Sequence, residues 1–150
     1  QARLSMVGVP DRPGVAAKIF GALAQAGINV DMIIQSAPSN GANDISFTIA
    51  RNDVARALRI LEPVRRSLSA TRLSADEGVA KVSIVGVGMR SHPGVAAKMF
   101  QALARASVNI EMISTSEIKI SCAVRERQVE RAVRVLHRVF HLQRRSQRGG

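Results

Sequence analysis

The sequence predicts an α+β protein built from two small domains of the same kind, each with an antiparallel sheet covered by helices on one face. The main observation is an internal repeat. Residues 13–20, PGVAAKIF, return as residues 93–100, PGVAAKMF, with seven of eight positions identical. Residues 29–33, NVDMI, return in the same order as residues 109–113, NIEMI. Such self-similarity indicates two copies of one structural unit, and a chain of 150 residues has room for two small domains.

The first copy is predicted to contain strand, helix, strand, strand, helix and strand in that order. Apolar residues at helical spacing follow Pro13-Gly14, and Gly27 is expected to end that helix. Residues 45–49 alternate between apolar and polar, as expected of a strand with one buried face. Pro63 is expected to kink or end the second helix. The predicted strands are 4–9, 28–35, 45–49 and, more weakly, 71–73, and the predicted helices begin near residues 15 and 54.

The second copy repeats this order of elements. Its predicted strands are 82–87, 108–115, 118–124 and, more weakly, 140–142, and its predicted helices begin near residues 95 and 129. The resulting domains are 1–75 and 76–142, joined by a linker at 74–79 and followed by a basic, disordered tail at 143–150. The order βαββαβ predicts a ferredoxin-like fold. A sheet of this kind leaves strand edges open, so pairing of domains edge to edge is expected.

Composition limits the classes of function. The net charge of +11 raises the possibility of a nucleic-acid partner. Much of this charge, however, is arginine at helical spacing and in the tail, between Arg125 and Arg148, and the chain has no Trp or Tyr to stack on bases. We therefore predict a solvated helix face and no nucleic-acid partner. No apolar run is long enough to span a membrane, and residues 1–10 do not resemble a secretory signal, so a cytoplasmic protein is expected.

The most informative segment is the loop at residues 10–15. It joins a strand to a helix N-terminus, where free amides and the helix dipole favour an anion. Asp11 lies just before that point and is able to accept hydrogen bonds from an ammonium group, so the loop offers a partner for each end of an α-amino acid. The alternative is that Asp11 only caps the helix. The second loop has His92 and no acid, so the first loop is predicted to be the main binding site; His92 is either a pH-sensitive ligand or a capping or surface histidine.

No catalytic or metal-binding constellation is predicted. There is no phosphate-binding glycine motif, and the three histidines lack metal-type spacing with acids. Cys122, the only cysteine, falls on an alternating apolar face and is expected to be an inert core thiol. Asn29 and Asn109 begin the second strands, where they serve either as turn residues or as contacts to a ligand. We expect no enzyme activity and no cofactor in this chain itself.

Three stretches resemble a known family. Residues 7–20, VGVPDRPGVAAKIF, resemble the opening of an ACT domain, a small-ligand sensor found in many enzymes of amino-acid biosynthesis. Residues 88–100, GMRSHPGVAAKMF, and 109–121, NIEMISTSEIKIS, resemble the second ACT domain of aspartate kinases. The resemblance covers about residues 4–142 and implies feedback control of lysine, threonine and methionine synthesis. The kinase part, which would phosphorylate the aspartate side-chain carboxylate with ATP, would lie upstream of this chain or on a separate subunit.

The resemblance also implies ligands, partners and site residues. Threonine would bind between the first domain of one chain and the second domain of another, in a homodimer formed through the ACT domains. The implied threonine site consists of Asp11, Pro13, Gly14, Val15, Asn29, Gln35, Asn109 and Ile110. Lysine, a possible second effector, would bind near Asp31, Met112, Ser114, Thr115 and Ser116. The competing interpretations are a free-standing ACT sensor, a nucleic-acid-binding module and a structural dimerisation domain.

Overall fold

The computed structural model describes residues 1–86, 94–116 and 118–149, with side chains through Phe140. The chain divides into two compact units, Gln1–Glu77 and Gly78–Gly150. The sequence predicted a boundary after residue 75. Each unit has an antiparallel sheet with two helices packed against it, so the predicted α+β, ferredoxin-like class is confirmed.

The first unit has all six predicted elements. They are β1 (Ala2–Pro10), α1 (Val15–Gln25), β2 (Ile33–Gln35), β3 (Ala42–Ile49), α2 (Val54–Leu68) and β4 (Arg72–Asp76). Its four strands lie in the order β2-β3-β1-β4. The second strand is shorter than the predicted 28–35, and β4 takes in residues that the sequence assigned to the linker. The linker therefore shrinks to residues 77 and 78, because pairing of β4 with β1 continues through Asp76.

The core of the first unit lies between the sheet and its helices. Leu4 and Met6 of β1 are paired with Phe47 and Ile45 of β3, and all four side chains are buried. The helices contribute buried apolar residues to the same cluster: Val15, Ile19, Leu23, Val54, Ala57, Leu61 and Leu68. Burial of each large apolar side chain contributes roughly 1.5–3 kcal/mol, so this face holds the unit together.

Pro63 was predicted to kink or end α2, and the prediction that it ends the helix was wrong. The helix continues for five residues beyond Pro63, to Leu68, and ends at Ser69 with φ of 55°. Proline in a helix interior removes one hydrogen bond. Tertiary packing offsets that loss, because Leu61 before the proline and Leu68 after it are both buried in the core.

The second unit departs from the repeat at its C-terminal end. Its elements are β5 (Val79–Val85), α3 (Val95–Arg105), β6 (Met112–Thr115), β7 (Lys119–Arg125) and α4 (Val129–Gly149). Within the described residues, the sheet has three strands in the order β5-β7-β6. Residues 140–142, predicted as a fourth strand, lie in α4, and the helix also runs through the predicted disordered tail to Gly149. The physical reason is that Leu, Gln and Arg favour helix and no Pro or Gly interrupts them before Gly149.

Matching hydrogen bonds give the two sheets a common register. Ser5 and Ser46 are joined across β1 and β3 at 2.9 Å, and Ser83 and Ser121 are joined across β5 and β7 at 2.7 Å. In both units the serine pair is next to a pair of apolar residues that face the helices. Counting from these serines therefore identifies equivalent positions in the two copies.

A bulge interrupts the register of β1 shortly before the loop that follows it. The register between β1 and β3 shifts between Met6 and Val9, and Gly8 has φ of +70°. The Gly8 N–H donates to Asp44 Oδ1 at 3.0 Å, and the Thr71 N–H donates to the Val7 carbonyl at 2.8 Å. Glycine is needed here because other residues rarely adopt this left-handed conformation.

Candidate functional site

The loop after β1 is held to the neighbouring strand by its backbone. Pro10 is paired with Ala42 at the end of β3. The Asp11 N–H donates to the Gly41 carbonyl at 2.9 Å, and the Arg12 N–H donates to the Pro10 carbonyl at 3.1 Å. Asp11 itself is exposed, and within the described residues its carboxylate has no hydrogen-bond or ion-pair partner. This carboxylate is thus presented to solvent from an ordered backbone.

Helix α1 begins at this loop without a side-chain cap. The N-cap position is Gly14, with φ of 89° and ψ of −12°, and no side chain of the described residues caps the helix. Asp11 therefore does not cap α1, which was the alternative interpretation of this residue. Val15 is only 6% exposed and anchors the first turn in the core. The amides of that turn and the helix dipole together favour an anion at this point.

The start of α3 in the second unit differs from that of α1. Gly94 is the N-cap of α3, but its φ is −84°, in the right-handed region. The Lys98 N–H donates to the Gly94 carbonyl at 2.9 Å, as the Lys18 N–H donates to Gly14 at 3.0 Å. The rest of the second loop, including His92 and its two predicted roles, lies outside the described residues. Of the two equivalent glycines, only Gly14 in the first loop has the left-handed conformation, and Gly94 does not.

The structure separates the predicted site residues of the first unit into two groups. Gln35 is exposed, is paired with Ile45, and lies toward the end of the sheet that carries the loop. Asn29 and Asp31 lie at the other end, where the Asp31 N–H donates to the Thr48 carbonyl at 2.9 Å. The loop begins level with Ala42 and Asp31 is level with Thr48, six residues farther along β3, or roughly 20 Å at the usual rise per residue. A single amino acid therefore does not reach both Asp11 and Asn29 of one unit.

Asn29 and Asp31 border a cavity of about 770 Å³. The cavity lies between the start of β1, the end of β3 and the start of α2, and its lining residues are Gln1, Asn29, Val30, Asp31, Ile49, Ala50, Arg51, Asn52 and Asp53. Gln1 Nε2 donates to Asp31 Oδ2 at 2.8 Å. The polar lining of this cavity makes the cavity a second candidate site, distinct from the loop at residues 10–15.

The predicted residues of the second unit are unequally accessible. Asn109 is exposed and Ile110 is half-buried against the core. Ser114, Thr115 and Ser116 are exposed along and just after β6, whereas Met112 is only 4% exposed. Met112 therefore lacks the accessible surface that direct contact with a lysine ligand requires, while the three hydroxyl-bearing residues have it.

The described residues show no group of three side chains able to hold a metal ion. Cys122 is fully buried, and desolvation raises the pKa of its thiol to about 11. A thiol with so high a pKa is almost entirely protonated near neutral pH and is a poor nucleophile. Within the same residues, no helix is long and apolar enough to cross a membrane.

Asn43 is a residue that sequence reasoning missed. It follows the turn that carries Asn40 and Gly41, and it lies opposite Val9. It is 4% exposed, and both polar atoms of its side chain are without a hydrogen-bond partner within the described residues. One sequence signal was available, because Asn43 is in phase with the buried residues Ile45 and Phe47 of the same strand.

Comparison with known proteins places the chain in a family. The sequence profile of the ACT domain matches residues 4–63 and 82–140. The aspartokinase of Pseudomonas aeruginosa is 51% identical over 142 residues, which are 95% of this chain and 34% of that protein. The chain thus spans about a third of the length of the curated relatives it matches.

Solved structures agree with this result. A crystal structure of aspartokinase alpha and beta subunits has 53% identity and a TM-score of 0.86, with 93% of this chain and 92% of that chain covered. The ligand-free regulatory subunit of aspartate kinase from Thermus thermophilus has 46% identity and a TM-score of 0.88, with 93% and 91% covered. Escherichia coli aspartokinase III, solved with lysine and aspartate, has 25% identity and a TM-score of 0.66, with 91% of this chain and 30% of that chain covered. The chain therefore belongs to the ACT domain family and is the regulatory part of an aspartate kinase.

Proposed function

We propose that this chain senses threonine for an aspartate kinase and that the loop at residues 10–15 is the principal binding site. The observation that carries the proposal is the exposed carboxylate of Asp11 beside the uncapped N-terminus of α1. The first-turn amides would bind the carboxylate of the amino acid, and Asp11 would bind its ammonium group. Each contact is a hydrogen bond to a charged group and is worth about 1.5–3 kcal/mol.

The position of Gln35 supports the same site. Its side chain is exposed at the edge of the sheet, toward the end that carries the loop. An amide side chain has both a donor and an acceptor for the hydroxyl group of threonine. Pro13, Gly14 and Val15 would provide backbone contacts, while Asn29, by its distance from Asp11, would serve the site at the other end of the unit.

A second copy of the chain would complete each pocket. Asn109 and Ile110 of a partner chain would close the site over the first loop, as the family resemblance implies. The exposed apolar residues on edge strands are consistent with such pairing, because Ile33 on β2 is 54% exposed and Ile113 on β6 is 43% exposed. A homodimer through the ACT domains is thus part of the proposal.

Lysine is proposed as a second effector at the end of the unit that carries Asp31. The cavity there is bordered by the carboxylate of Asp31, which would favour an ammonium group, whereas Asp53 is already paired with Arg56 at 3.0 Å and Arg51 also lines the cavity. Ser114, Thr115 and Ser116 of a partner chain would contribute hydroxyl groups. Escherichia coli aspartokinase III, which was solved with lysine, shares this part of the fold.

The kinase part of the whole protein would transfer phosphate from ATP to the aspartate side chain in the cytoplasm. Threonine would inhibit it by favouring the arrangement of domains that contains the complete pocket. Inhibition depends on the difference in affinity between the two arrangements. At a threonine concentration about 100 times Kd, one site would stabilise the bound arrangement by roughly 2.7 kcal/mol.

Calorimetric titration tests this proposal. The wild-type chain is titrated with threonine and, separately, with lysine, and the variant Asp11→Asn is compared with Glu77→Gln. Both changes neutralise an exposed acid, but Glu77 follows β4 at the end of the unit away from the loop. Asp11→Asn is expected to weaken threonine binding by about 10- to 100-fold through loss of one charged hydrogen bond, and Glu77→Gln is expected to have no effect. Wild-type affinity in Asp11→Asn would remove this residue from the site, and no saturable binding of threonine would refute the proposed function.

A further inference from the structure

Asn43 is a buried polar side chain with no explanation in the packing around it. It is 4% exposed, and its amide nitrogen and amide oxygen both lack a hydrogen-bond partner within the described part of the chain. Buried polar groups in native proteins are nearly always paired, because an unpaired one has lost its water without compensation. An exception of this kind calls for a functional explanation.

The position of Asn43 connects it with the threonine loop. Asn43 is paired with Val9, and the next pair, Ala42 with Pro10, is the last before the loop begins. Side chains alternate along a strand, so Asn43 is on the same face as Ile45, the face that α1 covers. The unpaired amide therefore lies on the helix-covered face, at the end of the sheet from which the loop and α1 begin.

The second copy of the repeat has a different residue in a different environment at this position. Asn43 lies three residues before Ser46, and Ile118 lies three residues before the equivalent Ser121. Ile118 is 56% exposed whereas Asn43 is 4% exposed, so the buried amide is a feature of the first copy. The first copy has both the acidic loop residue Asp11 and the unpaired Asn43, and the second copy has neither.

We propose that Asn43 is a positioning residue for threonine binding. Once the amino acid occupies the loop at residues 10–15, the Asn43 amide hydrogen-bonds the backbone of that loop and holds it in the binding conformation. The bound state then satisfies a buried group that is unpaired in the present arrangement, which makes the residue favour binding. This inference rests on the proposed function, because it requires the loop to bind an amino acid.

The test compares four forms of the full chain: wild type, Asn43→Leu, Asn43→Thr and the control Ile118→Leu. Leucine has the same number of side-chain heavy atoms and the same branching as asparagine but no polar group, whereas threonine keeps a donor and an acceptor. Threonine affinity is measured by calorimetry, and the thermal midpoint is measured without ligand. We expect Asn43→Leu to raise the midpoint temperature of thermal unfolding, because it removes a buried unpaired amide. We also expect it to weaken threonine binding roughly tenfold, because one hydrogen bond is lost. Asn43→Thr is expected to recover part of the affinity, and Ile118→Leu to bind as the wild type does.

The possible outcomes separate this inference from the proposed function. If the wild type binds threonine and Asn43→Leu binds it with the same affinity, the positioning role alone is refuted. A purely structural residue would change stability and not affinity. A lower midpoint in Asn43→Leu would show that the amide is paired and would also refute the role. If Asn43→Leu does not fold, Asn43→Ala replaces it, and threonine affinity alone decides, because the cavity left by truncation lowers the midpoint by itself. Absence of threonine binding by the wild type would refute both the proposed function and the inference.

Discussion

Replacement of Gly14 by alanine isolates the conformational requirement of the threonine loop. Gly14 has φ of +89°, and an added Cβ would meet no atom within 4 Å. The change therefore introduces backbone strain without a steric clash. Gly94, at the same point in the second copy, also has no atom within 4 Å of an added Cβ, but its φ is −84°. The chain thus contains its own matched control.

The magnitudes follow from these two backbone angles. A left-handed conformation costs an ordinary residue roughly 1–2 kcal/mol, so Gly14→Ala is expected to destabilise the first unit by about that amount. Gly94→Ala adopts its conformation without strain and restricts the unfolded chain, which stabilises by about 0.4–1 kcal/mol. The two variants should therefore differ by about 2 kcal/mol, with opposite signs.

Native-state hydrogen exchange is the suitable assay, because the chain has no Trp or Tyr for fluorescence and its two units need not unfold together. Protection of the α1 amides should fall in Gly14→Ala, and protection of the α3 amides should rise slightly in Gly94→Ala. Threonine affinity should fall only in Gly14→Ala. Equal changes in protection in the two variants would refute the argument that the left-handed glycine shapes the loop.

Two further predictions concern residues away from the loop. In Gly8→Ala, the new Cβ would overlap Thr71 Oγ1 and lie 3.3 Å from the Thr71 backbone nitrogen, at φ of +70°. We therefore expect a loss of about 2–4 kcal/mol from strain and overpacking, measured by urea unfolding with circular dichroism, whereas Gly21→Ala, which has no close neighbour, should not destabilise. Burial raises the pKa of the Cys122 thiol from 9.0 to about 11, so the unfolded thiol ionises first and stability should fall as pH rises from 9 toward 11. The variant Cys122→Ala should lack that pH dependence, and rapid reaction of the native thiol with a thiol reagent at pH 8 would contradict the assigned burial.

The repeat and the apolar periodicity were sufficient to predict the fold class. Residues such as Ile45, Phe47 and Ile49 are buried because alternation along a strand places them on one face, and this depends only on local geometry. The exposed Asp11 at the end of β1 was also predictable, since its place between a strand and a helix follows from its neighbours in sequence. Local patterns of this kind are reliable because few alternatives compete with them.

Predictions that depended on packing failed or were incomplete. Pro63 was expected to kink or end α2, but the helix continues past it to Leu68, with buried residues on both sides of the proline. Residues 140–142 were expected to form a strand by analogy with the first copy, yet α4 continues through them because helix-forming residues follow without a stop signal. The first outcome was decided by tertiary packing, and the second by local helix propensity, to which the analogy with the first copy gave too little weight.

The sequence by itself determined that two copies of one unit exist, that the first copy has an acid in its loop and that the chain resembles the regulatory part of an aspartate kinase. Only the tertiary structure placed Gln35 toward the loop end and Asn29 at the opposite end of the sheet, because strand pairing sets distances that sequence separation does not. It also revealed the left-handed Gly14 and the buried, unpaired amide of Asn43. Backbone angles and the pairing of buried polar groups arise from contacts between distant segments, and a single sequence does not record those contacts.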